Sequence, residues 1–382
     1  MIEVSAKLIG GPIFMPGETV GCSVTFTNPP VSTDKKSHCN SEVLEVLAWA
    51  SAQIHCLCST NDKISVPRIK ETSPGATSVI NSDTSFMPCQ GDKGQVVFST
   101  TPRILFCDLS LSPGESKSYL YSEVLPSESP PSHNGQLTRY SYKITIGTQR
   151  VNQPIKSLRI PFRVLVIQGY LDISGCEDSI DLSPSNPFLE KKETEQELGP
   201  ALQMVQNITA RRTPNCYNVT NPRGQVARFC LYKQCYKLGE DIIGSFDFSN
   251  SVVPCVQFTV TLQCEETLSD EYKSFARQDK AISGFSNCHQ VCLYMKYCTL
   301  NLPIPRHVTP MFSTQLVAVN WRLHFEFVIC SKDRDDMLLK DGTWQGPKSL
   351  DIETMVWDLP IQVYPAAPTP DIHGQNKHSM VF

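Results

Sequence analysis

The chain has 382 residues with 34 basic and 38 acidic side chains, which gives a formal net charge of −4. This length favours two domains or one large domain, and the charge balance argues against a dedicated nucleic-acid binder, which needs a basic face. Charged residues make up only 19% of the chain and prolines number 28, so we expect a weakly charged surface and many short strands rather than a helical bundle.

The sequence contains no obvious membrane or secretory segment. No stretch approaches the roughly 18 uninterrupted apolar residues of a membrane span, and residues 1–7 lack the basic-then-apolar pattern of a signal peptide. We therefore expect a soluble chain that is not secreted. The 16 cysteines are scattered between positions 22 and 330, and we interpret them as reduced, mostly buried thiols with neither disulfides nor bound metal.

Alternating apolar and polar residues predict strands along most of the chain. The alternation runs from Val20 to the Asn28-Pro29-Pro30 stop, and it recurs over 158–166 and 321–327. Residues 41–59 are the one plausible helix, but small or apolar residues at every second position from Ala48 onward favour a strand. Turn-forming residues separate these runs, as expected of sandwiches built from sequential strands.

The two halves of the chain contain a repeat. Three segments of the first half recur in the second half in the same order, which indicates a duplicated unit. The matches pair 17–26 with 239–248, Leu125-Pro126 with Leu302-Pro303, and 160–164 with 359–363. Each half would then be one β-sandwich that opens with a Gly-Glu turn and closes on a strand containing proline.

We predict an all-β fold of two tandem immunoglobulin-type β-sandwiches joined by a long linker. The predicted sandwiches cover residues 1–168 and 216–366. Residues 169–215 contain prolines and a run of mixed charge, and we predict a linker or long loop there, partly disordered. Residues 367–382 are predicted to be a flexible tail.

Chemical motifs are scarce. Cys288, His289, Cys292 and Cys298 place three thiols and an imidazole close together, but the paired C-x-x-C knuckles of a zinc site are missing, and a strand with buried thiols is favoured. Glu265 and Glu266 are expected to lie at a solvated turn or strand end rather than to form an acid/base pair.

His55 and His324 are expected within strands, each hydrogen-bonded or facing solvent, because neither has convergent partners in the sequence. The sequence therefore provides no catalytic, cofactor-binding or metal-ligating residue, and it leaves the partner-binding residues unknown.

Two tandem sandwiches with a Gly-Glu turn ahead of strand two and a closing proline strand resemble the arrestin-type fold. Within that fold, several segments are similar to the reduced-growth-phenotype-one family. The similar segments are 49–56, 104–109, 113–119, 121–126 and 321–328, and the similarity is weakest over 60–94, 170–215 and 268–290.

The resemblance implies a non-catalytic subunit of a heterodimeric exchange factor. In that family, a large scaffold partner called Ric-one pairs with this subunit to activate a Golgi Rab GTPase called Rab-six, which supports retrograde transport from endosomes to the Golgi. The chain would be cytoplasmic and peripheral at the Golgi membrane, with no cofactor and no transmembrane segment. No functional residue carries over.

Two alternatives remain from the sequence. The same fold serves cargo adaptors of the alpha-arrestin or retromer type in endosomal sorting, although residues 364–382 lack the Pro-Pro-x-Tyr motif of alpha-arrestins. A weaker alternative is a cysteine-dependent enzyme that uses the thiols of residues 288–298.

Overall fold

The computed structural model describes residues 1–30, 44–62, 64–69, 92–169, 198–331, 349–367 and 377–381. The first half contains β1 (Glu3–Ile9), β2 (Ile13–Phe14), β3 (Thr19–Thr27), β4 (Glu45–Thr60), β5 (Gln95–Ser99), β6 (Arg103–Leu111), β7 (Ser116–Val124), β8 (His133–Asn134), β9 (Thr138–Gln149) and β10 (Lys156–Val164). Helix α1 (Leu198–Ala210) follows.

The second half contains β11 (Asn215–Asn221), β12 (Gly224–Leu231), β13 (Cys235–Lys237), β14 (Asp241–Asp247), β15 (Cys255–Leu268), the short helix α2 (Asp270–Lys273), β16 (Lys280–Val291), β17 (Tyr297–Pro303), β18 (Phe312–Ser313), β19 (Val317–Cys330) and β20 (Ile352–Tyr364). Strand β21 (Lys377–Val381) comes last. The predicted all-β fold is confirmed, and so is the strand predicted within 41–59, which is β4 from Glu45 onward.

The strands form four sheets. In the N-terminal half the orders are β21-β1-β3-β7 and β2-β10-β9-β4-β5, with β6 on β4 and β8 on β9. In the C-terminal half they are β11-β12-β14-β17 and β13-β20-β19-β15-β16, with β18 on β19. Aromatic rings join the two sheets of each half: Phe26 packs edge-on to Phe106 with centroids 5.0 Å apart, and Phe229 lies 4.9 Å from Phe325.

The Gly-Glu turns of the predicted repeat have the same backbone geometry. Gly17 and Gly239 have φ of 86° and 84°, a left-handed conformation that glycine adopts without strain. The N–H of Gly17 donates to Leu125 O at 3.1 Å, and that of Gly239 donates to Ile304 O at 3.0 Å. The residue equivalent to Leu125 is therefore Ile304, which follows β17 as Leu125 follows β7. The predicted match with Leu302, which lies inside β17, is wrong by two residues.

The third match is confirmed by two parallel strand pairs. Phe14 of β2 lies opposite Val164 of β10, and Tyr236 of β13 lies opposite Val363 of β20. In both halves, a short strand ahead of the Gly-Glu turn thus pairs with the closing strand that contains proline.

Two elements were not indicated by the sequence pattern. Residues 198–210 of the predicted linker form α1, which buries Ala201, Val205 and Thr209, while residues 170–197 lie outside the described residues. Residues 377–381 of the predicted tail form β21, which pairs antiparallel with β1 from Glu3↔Val381 to Lys7↔Lys377. The domain limits themselves stay a prediction. Neither described helix is long and apolar enough to cross a membrane.

Phe325→Ala tests the core of the C-terminal half. The Phe325 side chain is fully buried, and its ring stacks on Trp357 with centroids 4.7 Å apart. We expect the substitution to lower the free energy of unfolding by roughly 3 to 5 kcal/mol, measured by denaturant titration. Val356→Ala is the control, because Val356 is 68% exposed and its truncation should cost about 0.5 kcal/mol or less. Equal losses in the two variants would contradict this assignment of the core.

Candidate functional site: the contact between the two halves

A buried carboxylate joins the two halves of the chain. Glu266 lies on β15 and is 4% exposed. Its Oε1 accepts a hydrogen bond from the N–H of Gln136 at 2.7 Å, and its Oε2 accepts one from the N–H of Leu137 at 2.9 Å. Both donors belong to the turn between β8 and β9. Hydrogen bonds to an ionised group are stronger than those between neutral groups, so this carboxylate holds a turn of the opposite half.

The imidazole of His133 completes the contact. Its Nε2 lies 3.7 Å from Glu266 Oε2, and its Nδ1 lies 3.0 Å from Thr309 Oγ1. The His133 ring also packs edge-on against Phe312, with centroids 5.0 Å apart. His133 begins β8 and Phe312 begins β18, which pair with β9 and β19 respectively. The halves therefore meet through equivalent elements.

The interface lowers the pKa of Glu266. Burial by itself raises this pKa, but the nearby His133 side chain and the N–H groups of Leu137 and Gln136 outweigh burial, so the pKa lies below its usual value of 4.5. A carboxyl group that receives two backbone hydrogen bonds is stabilised in its charged form. Glu266 is therefore ionised at neutral pH.

The expectation that Glu265 and Glu266 lie at a solvated strand end is wrong for Glu266. Successive residues of a strand point to opposite faces. Glu265 faces outward and pairs with Arg322 at 3.0 Å and Lys280 at 2.9 Å, whereas Glu266 faces the other half. The signal was available in the sequence, because Glu266 falls on the inward, otherwise apolar positions that include Leu262 and Leu268.

Helix α1 is held at both ends by the two Gly-Glu turns. At its start, Glu18 Oε1 accepts the N–H of Leu198 at 3.2 Å. At its end, Lys233 Nζ donates to Thr209 O at 3.0 Å and to Glu240 Oε2 at 2.6 Å. A carboxylate at the start of a helix and a cation at its end both stabilise the helix dipole. The repeated turns thus fix the segment that connects the two halves.

Two clefts flank this arrangement. One of about 420 Å³ lies between the halves, and its walls include Pro130, Ile167 and Leu316. The other, of about 930 Å³, lies at the end of α1 beside Tyr236 and Lys237. Their linings mix apolar groups with separate charged groups.

The cysteine cluster does not form a metal site in the described part of the chain, where no three His, Cys, Asp or Glu side chains are placed to hold an ion. The His289 ring lies 2.9 Å from Thr259 Oγ1. The Cys292 thiol donates to Cys255 O at 3.5 Å, and Cys298 Sγ lies 3.5 Å from Met295 Sδ. These groups are therefore directed to different neighbours.

Two thiols of this cluster, Cys292 and Cys298, are poorly activated. Interaction with Cys255, together with burial, raises the pKa of Cys292, and burial raises the pKa of Cys298. Because the thiolate is the reactive form of cysteine, both thiols are weak nucleophiles.

The expectation of reduced thiols throughout is wrong for one pair. Cys216 of β11 and Cys230 of β12 form a disulfide. The two residues lie directly opposite each other on adjacent antiparallel strands, with Cα atoms 4.1 Å apart. The positions of the cysteines in the sequence do not show that these two residues lie opposite each other on adjacent strands.

His55 and His324 lie within strands, as predicted. The expectation of a hydrogen-bonded or solvent-facing ring is wrong for His55 on β4, which is fully buried with no hydrogen-bond partner for either ring nitrogen among the described residues. Burial lowers its pKa to about 4. Its nearest carboxylate oxygen, Asp92 Oδ2, is 3.9 Å away. His324 on β19 lies between Asp358 and Glu326, with its Nδ1 2.6 Å from Asp358 Oδ1.

Comparison with known proteins finds one family and two relatives. The model of the family described as Rgp1 matches residues 30–199 and 174–330. The chain is 43% identical over 386 residues to the Homo sapiens protein "RAB6A-GEF complex partner protein 2", which covers 97% of this chain and 96% of the relative. The Bos taurus protein of the same name is 42% identical over 379 residues, covering 95% and 93%.

Gly135→Ala tests the contact between the halves. A Cβ at Gly135 would overlap the Glu266 carboxylate and the His133 ring, so the turn or these side chains must shift and the hydrogen bonds between the turn and Glu266 are disturbed. We expect faster amide hydrogen exchange at Gln136 and Leu137 and a lower unfolding temperature. Gly199→Ala is the control, because its Cβ meets open space in α1 and alanine favours a helix. Unchanged exchange at the turn in Gly135→Ala would contradict the described contact.

The lowered pKa of Glu266 predicts a pH dependence. Its contribution to stability is complete above the unfolded pKa, near 4.5, and is lost as the pH falls through the lower folded pKa. Glu266→Gln should therefore be less stable than wild type by about 1 to 3 kcal/mol at pH 7, and the difference should shrink below about pH 4. Denaturant titrations across pH measure it, with Glu326→Gln as the exposed control. A difference that stays constant with pH would contradict the prediction.

Proposed function

The chain belongs to the Rgp1 family, and from that premise we propose that it is the non-catalytic partner subunit of a heterodimeric guanine nucleotide exchange factor for a Rab-six-type GTPase. The observation that carries this proposal is the 43% identity to a relative named as a partner protein of a RAB6A exchange complex. The match covers 97% of this chain and 96% of the relative, so it includes both halves and the contact between them.

The chemistry of the described side chains supports a binding role. The buried carboxylate of Glu266 is engaged by two backbone N–H groups, which makes it a structural group. The raised pKa values of Cys292 and Cys298 argue against the alternative of a cysteine-dependent enzyme. An exchange factor acts by binding the nucleotide-free GTPase in preference to the nucleotide-bound form, and a subunit of such a complex contributes surface rather than reactive groups.

The finer features of the proposal follow from the family resemblance. The partner is a large scaffold subunit of the Ric-one type, and the GTPase binds through the complex. The pair acts at the cytoplasmic side of the Golgi membrane as a peripheral complex, in retrograde transport from endosomes. A net charge of −4 fits protein partners rather than nucleic acid.

Release of fluorescent GDP from a panel of Golgi Rab proteins tests the proposal. We expect neither subunit alone to accelerate release, and we expect the reconstituted pair to accelerate it from a Rab-six-type GTPase. Phe325→Ala should reduce exchange only in proportion to the complex that is lost, because its effect is on folding.

Two results would overturn the proposal. One is full exchange by the large subunit alone. The other is activity of this chain alone that disappears in Cys292→Ser, which would favour the thiol enzyme. Binding of cargo peptides without any exchange by the pair would favour the adaptor alternative.

A further inference from the structure

The outward side of the β21-β1-β3-β7 sheet has an uncommon composition. On β3 the odd-numbered positions from Thr19 to Thr27 face outward, and on β7 the even-numbered positions from Ser116 to Val124 do. All of these positions hold Ser, Thr, Gly, Leu or Val. We call this surface of β3 and β7 the hydroxyl face. Both strands are fully described, and the hydroxyl face contains no charged residue.

The hydroxyl groups of this face are paired with each other across the strands. Thr25 Oγ1 lies 2.8 Å from Ser118 Oγ, and Thr27 Oγ1 lies 2.9 Å from Ser116 Oγ. Moving a polar group from water into an interface costs less free energy when the group already has a hydrogen-bond partner in the protein. The hydroxyl face is therefore suited to burial against another surface.

Large aliphatic side chains project from the same surface. Leu120 is 66% exposed and Val124 is 59% exposed, and Ile9 on the adjacent β1 is 48% exposed. Removing these apolar groups from water is favourable. The lack of charged residues around these apolar groups matches the depletion of charge at the centre of protein interfaces.

The other three sheets carry charges on their outward sides. In the N-terminal half, Lys143 pairs with Asp92 at 2.9 Å. In the C-terminal half, Arg322 pairs with Glu265 at 3.0 Å, and Arg228 lies opposite Asp247 on the sheet that corresponds to the hydroxyl face. The charge-free surface is thus a property of one half and not of the repeated fold.

We propose that the hydroxyl face is the surface on which the large subunit of the exchange complex binds, through an uncharged, partly apolar surface of its own. This inference rests on the proposed function. Burying a charge without a partner is costly, so a charge-free face selects a counterpart that is also free of charge. On the neighbouring β1 the outward charged residues Glu3 and Lys7 lie opposite Thr27 and Ser23 and would form the rim of this face.

The hydroxyl face has room for the centre of an interface with a folded partner. Two strands of nine residues each, about 4.8 Å apart with a rise of about 3.4 Å per residue, give a flat area of roughly 300 Å². A standard interface buries about 800 Å² on each partner, so a partner that covers this face would also contact neighbouring elements such as β1.

Leu120→Asp, with Thr299→Asp as its matched control, tests the proposal. The pair Ser23↔Leu120 on β3 and β7 corresponds to Ser245↔Thr299 on β14 and β17, and both substituted positions are exposed. The affinity of each variant for the purified large subunit is measured by titration. We expect Leu120→Asp to weaken binding by about 30-fold or more, the size of a central interface residue, and Thr299→Asp to bind like wild type.

The outcomes separate this inference from the proposed function. Failure of the wild-type chain to bind the large subunit would overturn the proposed function. Wild-type binding together with equal affinity of both variants would overturn the hydroxyl face alone. If Leu120→Asp dissociates a homodimer, the hydroxyl face binds a second copy of the chain. If Leu120→Asp alone lowers the unfolding temperature of the isolated chain, the face packs within the chain itself. Either result would overturn the proposed binding of the large subunit to this face.

Discussion

The arrangement of the two halves depends on the buried carboxylate of Glu266. It reaches from β15 of one half to the turn before β9 of the other, where two backbone N–H groups bind it. Removal of either partner would leave a buried charge or buried donors unsatisfied, which costs more than the bonds themselves contribute. The space for this carboxylate exists because residue 135 is glycine.

The helix that connects the two halves is also held by contacts with both of them. Because Glu18 binds the start of α1 and Lys233, paired with Glu240, binds its end, the helix spans two turns that belong to different halves. The apolar side of the helix packs with Met15, Ile167 and Tyr364. The connecting helix is therefore part of the packed structure, and the two sandwiches are held in one relative orientation. A fixed orientation allows surfaces of both halves to contribute to binding one partner.

The sequence was sufficient for most of the strands and insufficient for α1 and for contacts between distant segments. The alternation of residues predicted β4 and β19, and the repeated Gly-Glu turn predicted two similar sandwiches, because both depend on neighbouring residues. The role of Glu266, the disulfide between Cys216 and Cys230, and the pairing of β21 with β1 depend on register and on approach between distant segments. The sequence shows that the outward positions of β3 carry no charge, but it does not show that β3 lies next to β7.

Scanning calorimetry of the intact chain tests whether the Glu266 contact and α1 join the two sandwiches into a single cooperative unit. We expect one unfolding transition, with a calorimetric enthalpy equal to the van't Hoff enthalpy, because the Glu266 contact and α1 each join groups from both halves. Two separate transitions, each with the enthalpy of about half the chain, would show that the halves unfold independently and would contradict it.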